Sequence, residues 1–287
     1  MKGAVGVLLH PRVGRGLPEL EAARRTLEAA GLDMWEVSRD APARQVAGRL
    51  ARTDLLITLG GDGTLLHGAR LAGPRGIPLL GVNLGRLGFM TEVEAKELPR
   101  AAARFVAGEY RIDERTLLQA GVERSGRRVF SGLGLNEAVV VRGPDDGLLR
   151  VSIAVAGQEV GLIDADGVLV ATATGSTAYA LAVGGPILEP GIGGLLLVPM
   201  SPFALTVRPL VCAPGQALAV DLVRSPALLS IDGSRSRRLQ AGDRITVDVY
   251  GKRLQLVRFS PPQRFYQLLR QKLGWGLPLV PSPHSAG

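Results

Sequence analysis

Leu55-Leu56-Ile57-Thr58-Leu59 runs straight into Gly60-Gly61-Asp62-Gly63-Thr64, and helix signals resume over Leu65–Leu71. The first five residues are almost wholly apolar, the pattern of a strand buried on both faces. A strand, a glycine turn and a helix in that order put the turn at the carboxyl end of a buried strand. Open α/β sheets take their ligands there. Glycines let a phosphate approach the backbone with no Cβ in the way, and a helix N-terminus favours anions. Asp62 is out of place in a simple phosphate cradle, because its charge repels the ligand. It needs a task, either taking a proton from an attacking hydroxyl or holding Mg²⁺. The plainer reading is a tight turn with an aspartate capping the helix.

Outward from this turn the same alternation continues. Val5–Leu9 reads as a buried strand. Pro18–Ala30 reads as a helix with Leu20, Ala23, Leu27 and Ala30 at helical spacing and a stop at Gly31. Met34–Val37 fits a short strand, Ala43–Leu50 a helix, Pro78–Val82 a buried strand and Glu97–Ala107 a helix. This order predicts a Rossmann-like α/β domain, a parallel sheet with helices on both faces. From about residue 111 the texture changes. Short β-rich runs are separated by Gly, Pro, Asp and Asn: Val151–Val155, Glu159–Ile163, Val168–Ala171, Leu195–Val198, Leu218–Val223, Ala227–Ile231, Ile245–Val249 and Arg253–Phe259. Ala156-Gly157-Gln158 makes the first two a hairpin. The expectation is an all-β, sandwich-like C-terminal domain. Pro261-Pro262 precedes a final helix over Gln263–Leu273, and Pro281–Gly287 reads as a frayed tail.

Composition narrows the function. The 287 residues are 46% hydrophobic and 21% charged, as in ordinary soluble globular proteins, and no stretch of about 18 apolar residues offers a membrane span. A single cysteine, Cys212, excludes a disulfide framework and a multi-cysteine metal site. His10, His67 and His284 have no metal-pair spacing, so no metal-ligating set is expected. The net charge of +8 suits anionic partners. Aromatics are only 4% and no basic run is interleaved with them, which argues against a nucleic-acid partner. Val5–Leu9 meets His10-Pro11-Arg12 without a small-residue cleavage pattern, so the N-terminus reads as a strand and not a signal peptide. With one cysteine, this points to a reducing, cytoplasmic location and no membrane partner.

Three further constellations could carry chemistry. Asp164-Ala165-Asp166-Gly167 leads through Val168–Ala171 into Thr172-Ala173-Thr174-Gly175-Ser176-Thr177-Ala178-Tyr179. Its hydroxyls and backbone amides suit a polar ligand, Tyr179 gives a flat surface for a base, and Asp166 accepts from an amide or amino group. The plainer reading is a hydroxyl-rich turn capping a helix. Asn136-Glu137 follows Gly132 and Gly134 and starts the apolar run Ala138–Val141. An adjacent amide and carboxylate can grip a ribose diol, which needs both donors and acceptors; otherwise this is a turn before a strand. In the loop Asn83–Phe89, Arg86 fits either a phosphate contact or a structural ion pair.

Together these residues resemble the NAD kinases. Gly60–Thr64, Asn83–Phe89, Asn136-Glu137, Asp166-Gly167 with Thr172–Tyr179, Gly184-Gly185-Pro186, Arg208-Pro209, Asp232-Gly233 and Lys272-Leu273-Gly274-Trp275 stand in that family's order and spacing. The likeness spans roughly residues 55 to 275 and looks like a bacterial-type member. The pentapeptide alone also occurs in diacylglycerol and sphingosine kinases; the Thr-Gly-Ser-Thr-Ala-Tyr run together with Asn-Glu selects NAD kinase. The resemblance implies ATP-dependent phosphorylation of the adenosine-ribose 2′-hydroxyl of NAD, giving NADP. It implies Asp62 as the general base, with Gly63 and His67 touching the dinucleotide nearby. Asn136 and Glu137 would hold the adenosine end, and Asp166 would lie near the nicotinamide amide. Thr177, Ala178, Tyr179, Ala180, Leu181 and Ala182 would line the dinucleotide pocket. It further implies Mg²⁺ carried with ATP and a homodimer or homotetramer. Its two-domain fold implies an α/β domain over 1–110, to which 259–287 return, and a dinucleotide-binding β-sandwich over 111–258.

The chain departs from that pattern at Ala173 of Thr172-Ala173-Thr174, where the family usually has proline. Tyr179–Val183 lacks two of the usual hydroxyls, and Phe203 stands where a histidine is common. A rival lipid kinase would show a large apolar acceptor cavity. A rival non-catalytic dinucleotide-binding regulator would bind NAD without turning over ATP.

Overall fold

A computed structural model describes residues 3–274 except 14, 15, 86, 87, 144–146, 225 and 263. The readings of Arg86, of Trp275 and of the tail over 281–287 lie outside the described residues. The chain begins β1 (Ala4–Leu9), α1 (Pro18–Ala29), β2 (Asp33–Ser38), α2 (Ala43–Leu50), β3 (Thr53–Leu59), α3 (Asp62–Ala72), β4 (Leu79–Asn83), β5 (Val93–Glu94), α4 (Leu98–Val106) and β6 (Arg111–Arg115). Pro18 at the first turn and acidic Glu19 and Glu21 suit the start of α1, and Gly31 with φ of +81° takes the chain past its end.

Side-chain alternation explains the layering. Val5, Val7, Leu55, Ile57 and Leu59 point to one face of the sheet, where Leu20, Ala23 and Leu27 of α1 and Leu98, Ala101 and Ala102 of α4 cover them. Leu8, Leu56 and Leu79 point to the other, under Val46 and Leu50 of α2 and Leu65, Ala69 and Ala72 of α3. Each such leucine, fully buried, contributes about 2 kcal/mol. Gly68 lets α3 lie close on the sheet, since a Cβ there would stand 2.5 Å from Thr58 Cγ2.

The second unit is built from β7 (Leu118–Arg124), β8 (Arg127–Gly134), β9 (Glu137–Arg142), β10 (Leu149–Val155), β11 (Gln158–Ala165), β12 (Gly167–Thr172), the short α5 (Tyr179–Ala182), β13 (Leu195–Met200), β14 (Leu210–Cys212), β15 (Leu218–Arg224), β16 (Ala227–Ile231), β17 (Arg235–Leu239) and β18 (Arg244–Val249). Two six-stranded antiparallel sheets, ordered β11-β10-β15-β18-β7-β8 and β14-β13-β12-β9-β16-β17, close on a shared apolar core that includes Val151, Ile153, Val168, Val170, Val220 and Ile245. Ala156 and Gly157 both have positive φ, as a two-residue hairpin between β10 and β11 requires. Gly132 and Gly134, before Asn136, lie in strand β8.

The chain then returns as β19 (Leu254–Arg258) and α6 (Arg264–Leu273). The first sheet is ordered β2-β1-β3-β4-β19-β6, with β5 paired beside β4. It is parallel throughout except where β6 runs antiparallel to β19. The boundaries expected at 110/111 and 258/259 therefore do not follow the sheets: Arg111–Arg115 and Leu254–Arg258 both belong to the first. Glu92 fastens the return. Its buried carboxylate accepts the N–H groups of Phe259 (2.8 Å) and Ser260 (2.7 Å) and pairs with Arg258 and Arg264. Among the described residues no helix is long and apolar enough to cross a membrane.

Candidate active site

The sheet order reverses between β1 and β3, and the glycine turn leaves β3 at that switch point. Gly60 donates its N–H to Val82 O (3.0 Å), and a Cβ there would stand 3.0 Å from His10 Cβ and 2.5 Å from Thr64 Oγ1. Gly61, not Asp62, is the N-cap of α3, and no side chain caps that turn. Asp62 is instead the first helical residue, where the helix dipole favours its charge. Its carboxyl opens to solvent and lies against Gly88, whose Cβ, if present, would come within 2.7 Å of Oδ1. It takes no hydrogen bond from any described residue. Removal of surrounding water raises its pKa above the ordinary carboxylate value, and Lys272 on α6 pulls it back.

Gly63, His67 and Arg70 follow one another at four- and three-residue steps, so they share a face of α3. Arg70, about 12 Å along the helix from Asp62 at 1.5 Å per residue, donates from Nη1 to Asp232 Oδ2 (3.2 Å). Asp232 sits in a turn with φ of +47° beside Gly233. Its wholly buried carboxylate also accepts three consecutive backbone N–H groups, from Leu135 (2.9 Å), Asn136 (2.9 Å) and Glu137 (3.2 Å). Burial pushes the Asp232 carboxyl up, while these donors and Arg70 hold it down. Arg70 and Asp232 thus join the helix of Asp62 to the Asn136-Glu137 segment.

The other side of that segment is gripped by the hydroxyl-rich loop. Thr172 donates its N–H to Asn136 O (2.9 Å) and its hydroxyl to Leu135 O (2.6 Å). Gly175 presses so closely that a Cβ there would stand 2.1 Å from Asn136 O. Held on both sides, Asn136 and Glu137 are each only 7% exposed, yet Asn136 Oδ1 and Glu137 Oε2 have no hydrogen-bond partner among the described residues. Buried acceptors left empty are costly unless a ligand fills them. Burial, with the Asp232 charge adding to it, pushes the Glu137 carboxyl up to about 7, against the Tyr179 N–H that favours its ionised form.

Asp166 accepts from Arg142 Nε at 2.7 Å, and both line an open cleft of about 660 Å³ with Val141, Tyr179, Ala182 and Met200. Its lining carries an ion pair, unlike the apolar acceptor cavity a lipid kinase needs. Thr177 turns its hydroxyl onto Thr174 O (3.2 Å), and Ala178 and Leu181 are half-buried around α5. Ala180 faces away from the cleft. It is wholly buried against the cluster of Leu169, Ala171, Ala173, Leu196 and Val198. His67 is half-buried on the Gly63 face of α3. Sequence reasoning assigned no role to Arg70, Asp232 or Arg142. The Asp232-Gly233 turn after an apolar run was the available signal; the arginines gave none. Among the described residues no cluster of three or more His, Cys, Asp or Glu could hold a metal ion.

Residues 19–110 match the family model of the ATP-NAD kinase N-terminal domain, and residues 135–259 that of the ATP-NAD kinase C-terminal domain. An NAD kinase of Heliobacterium modesticaldum is 40% identical over 283 residues, covering 95% of this chain and 99% of its own. NAD kinase 2 of Gloeobacter violaceus is 40% identical over 231 residues, covering 80% and 74%. Two solved structures share the fold at 24% identity each. Yeast NADH kinase complexed with NADH has a TM-score of 0.84 and covers 98% of this chain and 90% of its own. An NAD kinase from Archaeoglobus fulgidus in complex with ATP has a TM-score of 0.72 and covers 93% and 97%. With both domains matched and relatives this similar along nearly the whole length, the chain belongs to the NAD kinase family of phosphotransferases.

Proposed function

We propose that the enzyme transfers the γ-phosphoryl group of ATP to the adenosine-ribose 2′-hydroxyl of NAD, with Asp62 as general base. One observation carries this reading. A solvent-open carboxylate, with no hydrogen bond from any described residue, starts the same helix whose far end, through Arg70 and Asp232, fixes two buried acceptors unpartnered among the described residues. Asn136 Oδ1 and Glu137 Oε2 accept from the hydroxyls and amino group of the adenosine end. Gly63 and His67 lie along the helix face between them and Asp62. Asp166, oriented by Arg142, faces the nicotinamide amide. Tyr179 and Ala182 form a wall of the dinucleotide cleft with Thr177, Ala178 and Leu181 around them, and Ala180 supports that wall from behind.

As the 2′-oxygen bonds to the γ-phosphorus, the bond to the ADP oxygen breaks and Asp62 takes the hydroxyl proton. A carboxylate with a raised pKa is the stronger base for that transfer. The transition state is loose, so most of the work is positioning and charge balance. Mg²⁺ fits here as an ion carried by the donor phosphates and water, with Asp62 as the carboxylate of the turn; when bound it would offset phosphate charge. The protein is proposed to act in the cytoplasm as a homodimer or homotetramer. Exposed Val160 and Leu162 on β11 and Val223 on β15 support self-association.

The test is NADP formation from NAD and ATP by the full chain. Asp62→Asn should lower kcat by about 10²–10⁴-fold while calorimetric NAD affinity stays within about twofold of the parent. Near-normal turnover in that variant removes Asp62 from the chemistry.

A further inference from the structure

Phosphoryl transfer concentrates negative charge, and fixed cations are the usual counterweight. The glycine turn supplies none of its own. No lysine or arginine occurs between Arg52 and Arg70, and the P-loop lysine motif is absent. The turn is nevertheless built to receive an anion. No side chain caps the first turn of α3, and Thr64, only 1% exposed, points an unpartnered Oγ1 at Gly60.

Two cations reach it from elsewhere in the chain. Arg39 follows β2 and donates its N–H to Leu9 O (2.9 Å), which fixes it at the carboxyl edge of the sheet. Its Nη1 lies 3.3 Å from where a Cβ of Gly63 would stand. Among the described residues its side-chain ion pair is with neighbouring, exposed Asp40 (3.3 Å), a contact of small worth that is easily given up. Lys272 comes from the opposite flank. Leu268 of α6 is buried against a small cavity shared with Phe89 and Thr91. Lys272 lies one turn further on the same helix face. Its charge acts on Asp62. In the sheet order β2-β1-β3-β4-β19, Arg39 follows β2 on one side of β3 and the helix of Lys272 follows β19 on the other, so the two approach the turn after β3 from opposite flanks.

We propose that Arg39 and Lys272 form a two-sided clamp for the phosphates of the donor nucleotide, closed over the uncapped turn of α3. The arginine offers a planar fork to two oxygens and the lysine a mobile point charge. The clamp rests on the NAD kinase reading, since it names the donor's side of that site. It makes the last helix part of the donor site.

The experiment uses the full chain with Arg39→Met, Lys272→Met and Lys272→Arg, each checked for an unchanged circular-dichroism spectrum. Steady-state kinetics should show KM for ATP raised about tenfold or more in each methionine variant. KM for NAD should stay within about twofold, and Lys272→Arg should recover most of the loss. Calorimetry with magnesium-free inorganic tripolyphosphate should show the parent binding and both methionine variants weakened by about tenfold. Equal tripolyphosphate affinity in parent and variants overturns the clamp even if NADP is made. A parallel rise in KM for NAD overturns it too. If the parent makes no NADP but binds tripolyphosphate through Arg39 and Lys272, the clamp stands and the NAD kinase reading falls.

Discussion

Asp62 and Glu137 are both acids beside closely packed glycine backbone, and the molecule treats them in opposite ways. Asp62 is open to solvent on one side, without a hydrogen bond from any described residue, at the open end of the α/β sheet. Glu137 is sealed in the sandwich, its backbone N–H donating to the Asp232 carboxylate, its C=O accepting from the Asp232 N–H, and one side-chain oxygen left empty. Water at Asp62 lets a proton arrive and leave. Dryness at Glu137 makes each missing hydrogen bond expensive, and this is how a buried polar site rejects a ligand that lacks the right hydroxyl.

The largest test of this contrast is stability. Asp232→Ala should cost about 3–5 kcal/mol in urea denaturation, because it strands three buried backbone N–H groups and breaks the ion pair with Arg70 at once. Asp62→Asn should change stability by less than about 1 kcal/mol. Equal costs would end the distinction between the two regions.

The second test is pH. An unfolded glutamate gives up its proton near 4.5, whereas Glu137 in the folded chain keeps it to about 7. The folded state then binds more protons across that window, so stability falls as pH rises from about 4.5 to about 7 and levels off above. The full fall is of the order of 3 kcal/mol at most. Glu137→Gln should flatten this slope and stand above the parent in stability at pH 8, while binding NAD more weakly. An unchanged slope would show that Glu137 titrates like an exposed acid.

Smaller effects sharpen the picture. Gly175→Ala forces a methyl into Asn136 O, a backbone atom that cannot step aside. It should cost about 1–3 kcal/mol in urea denaturation and raise KM for NAD. Gly88→Ala meets only the free end of the Asp62 side chain. Stability should move by less than about 0.5 kcal/mol, and kcat should fall by about tenfold as the carboxyl is displaced.

Much of this was readable in the sequence, and the exceptions share a cause. Leu55–Leu59 and the glycines after it announced a buried parallel strand and its turn, because local pattern alone dictates both. Arg253–Phe259 reads as β while Arg111–Arg115 gives no strand signal of its own, and neither says which sheet it joins; partners far apart in the chain decide that. Ala180 looked like part of a pocket because its neighbours are, although helix periodicity turns it into the core. Asp232 looked like an ordinary Asp-Gly turn, since its worth lies in backbone donors almost a hundred residues away. Arg70 and Arg39 are two among many arginines, and only the tertiary fold separates them from the rest.

The placing of β19 between β4 and β6 has a consequence for biosynthesis. The ribosome delivers β6, then the entire sandwich, and only afterwards the strand that completes the first sheet. Until then β4 and β6 have no partner between them, and an open edge of this kind invites pairing with other chains. Translation that stalls inside the sandwich therefore releases a sticky half-sheet, and no ordered proteolytic or genetic split after β6 can yield a self-sufficient catalytic half.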